Sequence, residues 1–445
     1  MRLHNLLGKS FDCQCGKRHD LGVHKFIYEH DAIDMLSGII SDGNAERSAQ
    51  STVIVADCRT WQVCGEMVCN SLQHEGFKPR QIIIPDRAGA GPVCDDRTCQ
   101  WLAKRIREPL PDVLIAVGSG VISDLCKWAS FELDIPYMVV ATAASMNGYA
   151  AANVAAKIAG VKVLIQTKPP IAVVAEPEVI ENAPRQMSAA GFADTIAKYQ
   201  SHADWVMNNL LFGEYYCQYC AELATGFESL LLKHPEGVKE NDSEAIKELF
   251  AALFWAGAAM TLVGASAPAS GGEHLLSHTL DMIADLCDQK HDLHGRQVGL
   301  GAIFSAALYQ RLLRIETPSF AELPQDIDSK FWRVPTAVKA IRQQYMAKKP
   351  QLEIMRQKIE RPQIWKQLKA KLTPITRSPQ ELKDLLLRAG GASSIAEIGC
   401  TRERVRTAAV HMHEIRKRCT VVDLAWVLGI LPAAVDEIID EWLIE

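Results

Sequence analysis

The sequence predicts an α/β domain built on a mainly parallel sheet, followed by an all-helical domain. Two observations carry that prediction. From about 22 to 175, short and near-continuous apolar runs alternate with helical stretches, the pattern of strands buried on both faces of a parallel sheet. Beyond about 177 no run reads as a strand, and helix-period patterns continue to the last residues. At 445 residues the chain is too long for one hydrophobic core, and the change of character over 178–186 divides it into domains 1–182 and 183–445.

The predicted strands are STVIVAD (51–57), PRQIIIPD (79–86), DVLIAVGSG (112–120), IPYMVVATAAS (135–145) and PPIAVVAEP (169–177), with helices over 99–108 and 123–133 between them. The helical half is read over 188–235, 243–265, 273–287 and 295–313. The stretch 349–374 is charged and broken by prolines, which predicts solvent-facing helices. LFAALFWAGAAMTLVGA (249–265) has Thr261 as its only polar residue. It is short for a span and lacks flanking Lys or Arg, so it predicts a buried packing helix and no membrane span.

With 48% hydrophobic and 23% charged residues, the composition is that of a globular protein. A net charge of -5 gives no long-range attraction for polyanions, so nucleic acid is not an expected partner. Thirteen scattered cysteines, an odd number in a large chain, suggest reduced thiols; together with the lack of an apolar leader they place the expectation in the cytoplasm.

In AVGSGVISD, Gly118, Ser119 and Gly120 join a strand to a helix that continues through Val121 and Ile122. Backbone without side chains can approach a pyrophosphate closely, and the helix start offers free N–H groups. The third glycine of the usual dinucleotide fingerprint is replaced by Ser123, so this loop alone leaves nucleotide binding and plain turn geometry equally open. The next run ends in ATAASMNGYA, where Thr142, Ser145, Asn147 and Gly148 suit a second wall of the same cleft at the carboxyl ends of parallel strands.

GFADTIAKYQ puts Asp194 and Lys198 four apart on one helical face. Such a pair is ordinarily a surface ion pair, but Gly191, Phe192, Ala193, Ile196 and Ala197 make a poor solvent face. SGGEHLLSHTLDM stacks His274 and His278 one turn apart, and KHDLHGRQVGLG offers His291 and His294. Asp194, His274 and one of the latter pair form a three-ligand set with open positions, suited to a divalent catalytic metal rather than a closed structural zinc. His294, which opens a small-residue helix, is the preferred third ligand. In CQCGKRH, Cys13, Cys15 and His19 resemble part of a metal site but lack a second cysteine pair, and a β-hairpin turning at Gly16 is the favoured reading. Cys217 and Cys220 read as packing residues.

Taken in order, GSGVISD, TAASMNGY, GFADTIAKY, SGGEHLLSH and HGRQVGLG resemble the bacterial type of the sn-glycerol-1-phosphate dehydrogenase family, within the iron-containing alcohol dehydrogenase and 3-dehydroquinate synthase superfamily. The likeness runs from about 10 to IRKRCTVVDLAWVLGIL. It implies a Rossmann-like dinucleotide-binding domain in a dehydroquinate synthase-like fold. It also implies NAD or NADP on Gly118, Ser119, Gly120, Val121, Ile122, Thr142 and Ser145, with Asp57 on the adenosine side. One divalent ion, nickel, zinc or iron, would be held by Asp194, His274 and His294. His278 would face the substrate as a binding or proton-relay group, and Lys198 would lie near a substrate phosphate, which makes Asp194, His278 and Lys198 the implied catalytic set. The implied reaction interconverts sn-glycerol 1-phosphate and dihydroxyacetone phosphate, in a homodimer. Where the family reads SMDGY followed by Thr-Ser, this chain has Asn147, a substrate contact, and then Ala150 and Ala151. That departure keeps three alternatives in view: a related polyol dehydrogenase, a 3-dehydroquinate synthase-like cyclase, and a catalytically silent binding protein.

Overall fold

The computed structural model describes residues 3–43, 51–87, 91–158, 161–226, 228–287 and 289–444. The chain forms two compact units: residues 1–158, 162–191 and 229–264 make one, and residues 159–161, 192–228 and 265–445 make the other. Segment 229–264, well beyond the expected boundary, belongs to the first.

The first unit is built on six strands: β3 (Lys25–Tyr28), β4 (Ser51–Asp57), β5 (Lys78–Ile84), β6 (Val113–Gly118), β7 (Tyr137–Ala141) and β10 (Ala172–Ala175). Their order is β3-β10-β7-β6-β4-β5, and every neighbouring pair is parallel. Strands β4, β6 and β7 are buried nearly end to end, which is why their sequences are continuously apolar rather than alternating. The helix Gly120–Leu133 begins at once after β6, so the predicted strand stops at Gly118. After β4 the chain builds β5 on one side and then crosses to add β6 on the other, which makes the carboxyl ends of β4 and β6 the switch point of the sheet.

Outside this sheet lie two hairpins: β1 (Ser10–Asp12) with β2 (Arg18–Asp20), and β8 (Asn153–Ile158) with β9 (Val161–Gln166). The first turns at Gly16, whose φ of +85° suits a residue without Cβ. The second is absent from the strand prediction. β8 alternates half-exposed with buried residues up to the exposed Ile158, and β9 buries Val161 alone, a weaker signal than that of the central strands.

The helix Ser243–Val263 is long and apolar enough to cross a membrane by length and composition, yet it packs as a core helix. Leu249, Phe250, Leu253 and Phe254 are fully buried, and Phe254 stacks on Phe26 of β3 at 4.0 Å. Gly257 explains its small residues: a Cβ there would come within 2.5 Å of the Asn147 carbonyl oxygen. Thr261, its lone polar residue near that end, donates to the Ala150 carbonyl at 2.7 Å and accepts from the Ala152 N–H at 2.8 Å.

The second unit is helical, and among the described residues no strand follows β10. Its helices Gly272–Leu286 and His294–Leu313 approach so closely that a Cβ at Gly301 would lie 2.1 Å from the Glu273 carbonyl oxygen. The prolines near 350 do not leave the chain simply solvent-facing. Pro335–Ile359 buries Lys348, Leu352, Met355 and Ile359 on one side, and the Lys348 ammonium pairs with Asp423 at 2.7 Å.

Candidate active site

At the switch point of the sheet is a cavity of about 380 Å³ lined by Asp57, Arg59, Thr60, Gly91, Pro92, Ser119, Val121 and Ile122. Its floor is the start of Gly120–Leu133, a 14-residue helix whose first N–H groups have no intrahelical partner to bond. Asp57 ends β4 and caps the next turn, accepting from the N–H groups of Arg59 and Thr60 at 2.9 and 2.8 Å. Arg59 pairs with Asp57 at 2.9 Å and with both oxygens of Asp86 at 2.7 and 2.9 Å. The cavity therefore carries one guanidinium held between two carboxylates. Arg59 had no part in the sequence reading, although its place two residues past the end of a buried strand was a signal.

Thr142 and Ser145 are not among the residues lining this cavity. Thr142 is buried at the end of β7, and its N–H donates to the Gly118 carbonyl at 3.3 Å. The loop that follows is organised by Lys127, fully buried in Gly120–Leu133, whose ammonium donates to the carbonyls of Gly148 and Asn153 at 2.8 and 3.0 Å and pairs with Asp124 at 3.2 Å. Asn147 is buried within that loop.

In the helical unit, Asp194 from Arg185–Ile196, His274 from Gly272–Leu286 and His294 at the start of His294–Leu313 bring one donor atom each within 4.8 Å of one another. Asp194 and His274 are buried. His274 Nε2 faces Asp194 Oδ1 at 3.5 Å while its Nδ1 lies 2.8 Å from Glu273 Oε1. Ser277 Oγ stands 3.2 Å from His294 Nδ1 and 3.0 Å from the Gln297 amide. Each imidazole thus has a partner on one nitrogen that orients the other, as in metal-binding histidines. Burial opposes a charge on His274, but the hydrogen bonds to Asp194 and Glu273 and their negative charges outweigh it and raise its pKa. The same field that holds a proton there suits a divalent cation, and one carboxylate with two imidazoles is a donor set for such an ion.

His278 is half-buried beside this group, its ring centroid 5.9 Å from that of His274 and 5.7 Å from that of His294. His291 is directed elsewhere, with Nδ1 3.3 Å from Asp281. Lys198 is fully buried and donates to the Ala224 carbonyl at 2.8 Å. The helix bearing His274 is anchored by Asp204, which accepts from the Gly272 N–H at 2.7 Å, from Val421 N–H at 2.6 Å and from the Tyr309 hydroxyl at 2.6 Å. Burial and the neighbouring Glu273 push the Asp204 carboxyl up to about 7.

The chain thus joins a glycine turn that opens a helix at the switch point of a parallel sheet to a helical unit carrying an Asp-His-His cluster. The family model for iron-containing alcohol dehydrogenases matches residues 28–184. The solved structure of a probable glycerol dehydrogenase from Sinorhizobium meliloti 1021 shares the fold, with a TM-score of 0.62 at 12% identity over 94% of this chain and 98% of its own. A protein named glycerol-1-phosphate dehydrogenase (NAD(P)+) from Bacillus subtilis (strain 168) is 30% identical over 414 residues, 93% of each chain. One of the same name from Pyrococcus horikoshii is 42% identical over 195 residues, 44% of this chain and 55% of its own. The chain belongs to the glycerol-1-phosphate dehydrogenase family, and it is an enzyme, a metal-dependent NAD(P) oxidoreductase.

Proposed function

We propose that this enzyme interconverts sn-glycerol 1-phosphate and dihydroxyacetone phosphate, with Asp194, His274 and His294 as the metal ligands. The observation that carries the reading is the convergence of those three donors within 4.8 Å, in a chain whose full-length relative at 30% identity bears that activity in its name. A metal held there would supply Lewis-acid polarisation of the reacting oxygen, and a bound dinucleotide would supply or take up the hydride. The chain's own residues do the rest. Glu273 and Ser277 orient the two imidazoles. His278 takes the hydroxyl proton in the oxidation direction and returns it in reduction. Lys198 serves the substrate phosphate, exchanging for it the bond to the Ala224 carbonyl. Ser119, Val121 and Ile122 seat the pyrophosphate against the helix start, with Asp57 toward the adenosine.

Nickel, zinc and iron(II) all suit one carboxylate and two imidazoles. A cytoplasmic homodimer acting on a small phosphorylated substrate completes the reading. The test is NADH or NADPH oxidation with dihydroxyacetone phosphate, using metal-stripped enzyme resupplied with each ion, beside Asp194→Asn. Turnover that requires the ion and fails in the variant is expected; turnover indifferent to both would sink the reading. A related polyol is the second reading, favoured by Asn147 standing where the family carries aspartate. Metal-dependent oxidation of another polyol, with none of glycerol 1-phosphate, would identify it.

A further inference from the structure

The hairpin of β1 and β2 lies before the segment matched by the family profile and takes no part in the chemistry above. Its turn is nevertheless built in an unusual way. Cys13 sits just after β1, Cys15 in the turn and His19 in β2, and their donor atoms lie within 4.8 Å of one another. Positive φ at Gly16 folds the chain back sharply enough to do this, with the Gly16 N–H donating to the Cys13 carbonyl at 3.0 Å and the Cys13 N–H to the Lys17 carbonyl at 3.0 Å.

His19 is 1% exposed although its hairpin lies outside the main sheet. Its Nδ1 lies 2.7 Å from the Leu262 carbonyl oxygen. A carbonyl only accepts, so Nδ1 carries the ring proton and Nε2 is the nitrogen with the lone pair. That lone pair is directed at Cys15 Sγ, 3.4 Å away. Tetrahedral zinc, with bonds of about 2.3 Å to sulfur and about 2.0 Å to nitrogen, sets the edge between an N and an S ligand at roughly 3.5 Å. A backbone carbonyl fixing the far nitrogen of a ligating imidazole is the usual arrangement around such an ion.

We propose that Cys13, Cys15 and His19 form a second metal site, for a thiolate-preferring divalent ion, zinc, that is separate from the Asp-His-His donor set. Two thiolates and one imidazole select a softer ion than one carboxylate and two imidazoles do. The fourth position falls to a donor outside the hairpin or to water. Because His19 bonds to the carboxyl end of Ser243–Val263, the ion ties the hairpin to the core helix of its own unit. The role is structural: no bond is made or broken.

Cobalt substitution separates the two sites, since only thiolate ligation gives a near-ultraviolet sulfur-to-cobalt charge-transfer band. Full-length enzyme, Asp194→Ala and the double variant Cys13→Ser, Cys15→Ser would be loaded with cobalt(II) and their metal content measured. The band is expected in wild type and in Asp194→Ala, and its loss in the double variant together with one metal equivalent. No band in wild type, or equal band and metal content in the double variant, would overturn the proposal. Should the double variant not fold, alkylation of the wild type decides. Cys13 and Cys15 resist iodoacetamide with zinc bound and react after chelation if the site exists; equal reaction in both states refutes it.

Discussion

Glu273 presents Oε1 to Nδ1 of His274 at 2.8 Å, so a fully buried carboxylate holds the ring proton on the nitrogen turned away from Asp194. The two residues are adjacent in sequence, but only one of them is a ligand in the proposed site. Replacing such an orienting partner typically weakens metal binding by about 10- to 100-fold. Glu273→Gln, close in shape, is expected to raise the metal dissociation constant within that range, with turnover recovering at saturating ion. Metal titration checks it; an unchanged dissociation constant would leave Glu273 a packing residue.

The closeness of the two helices that carry the proposed histidine ligands is open to a direct test. In Gly301→Ala the new methyl meets the Glu273 carbonyl oxygen, which cannot yield without moving Gly272–Leu286 and His274 with it. Overpacking of this kind costs about 1–3 kcal/mol. The expected outcome is a lower melting temperature together with weaker metal binding. Wild-type values of both would show that the helices have room to spare at that point.

In the sheet unit, Val121 is 38% exposed and lines the cavity at the helix start. Val121→Trp is expected to fill the space proposed for the dinucleotide and raise KM for NADH by about tenfold or more, a loss of roughly 1.4 kcal/mol. Metal content should stay unchanged, because the proposed ligands belong to the other unit. An unaltered KM would move the dinucleotide away from this cavity.

His413 makes the fold acid-sensitive. Burial, and then the charge of Lys348, push its pKa down to about 3, while its ring packs 4.3 Å from that of Trp426. An unfolded histidine titrates near 6.5, so above that value both states are neutral and the full contribution to stability is present. As pH falls from about 6.5 toward 3 the unfolded state alone takes up the proton, and stability drops by up to about 1.4 kcal/mol per unit. His413→Gln should therefore lose less of its urea midpoint between pH 6.5 and 5 than wild type does. Equal losses would assign the acid sensitivity to other groups.

The central strands were legible because a sheet covered on both faces demands continuous apolar runs, and Val53 to Ala56 or Val113 to Val117 offer nothing else. Their ends were less so. IPYMVVATAAS reads as one long strand, yet β7 stops at Ala141, because the small residues after it turn into the loop that Lys127 holds. The cluster of Asp194, His274 and His294, the proposed metal donors, could be guessed from helical spacing and from the apolar neighbours of Asp194. Glu273 and Ser277 could not, since an orienting hydrogen bond leaves no periodic trace. Nor could the sequence tell that Thr261 would serve the 150–152 backbone, or that Thr142 and Ser145 would lie off the cavity's lining. Those are facts about which segments meet, and they are decided by packing between residues far apart in the chain.

The return of 229–264 to the first unit has a consequence for synthesis on the ribosome. A nascent chain of 191 residues already contains every strand of the sheet, yet Phe26 still lacks Phe254 against its ring and the 147–151 loop still lacks Gly257 beneath it. Completion waits for some seventy more residues, and those emerge only after 192–228, which belong to the other unit. The nascent sheet therefore spends that interval with one apolar surface unsealed, a window in which a chaperone or a neighbouring nascent chain can reach it before its own helix does.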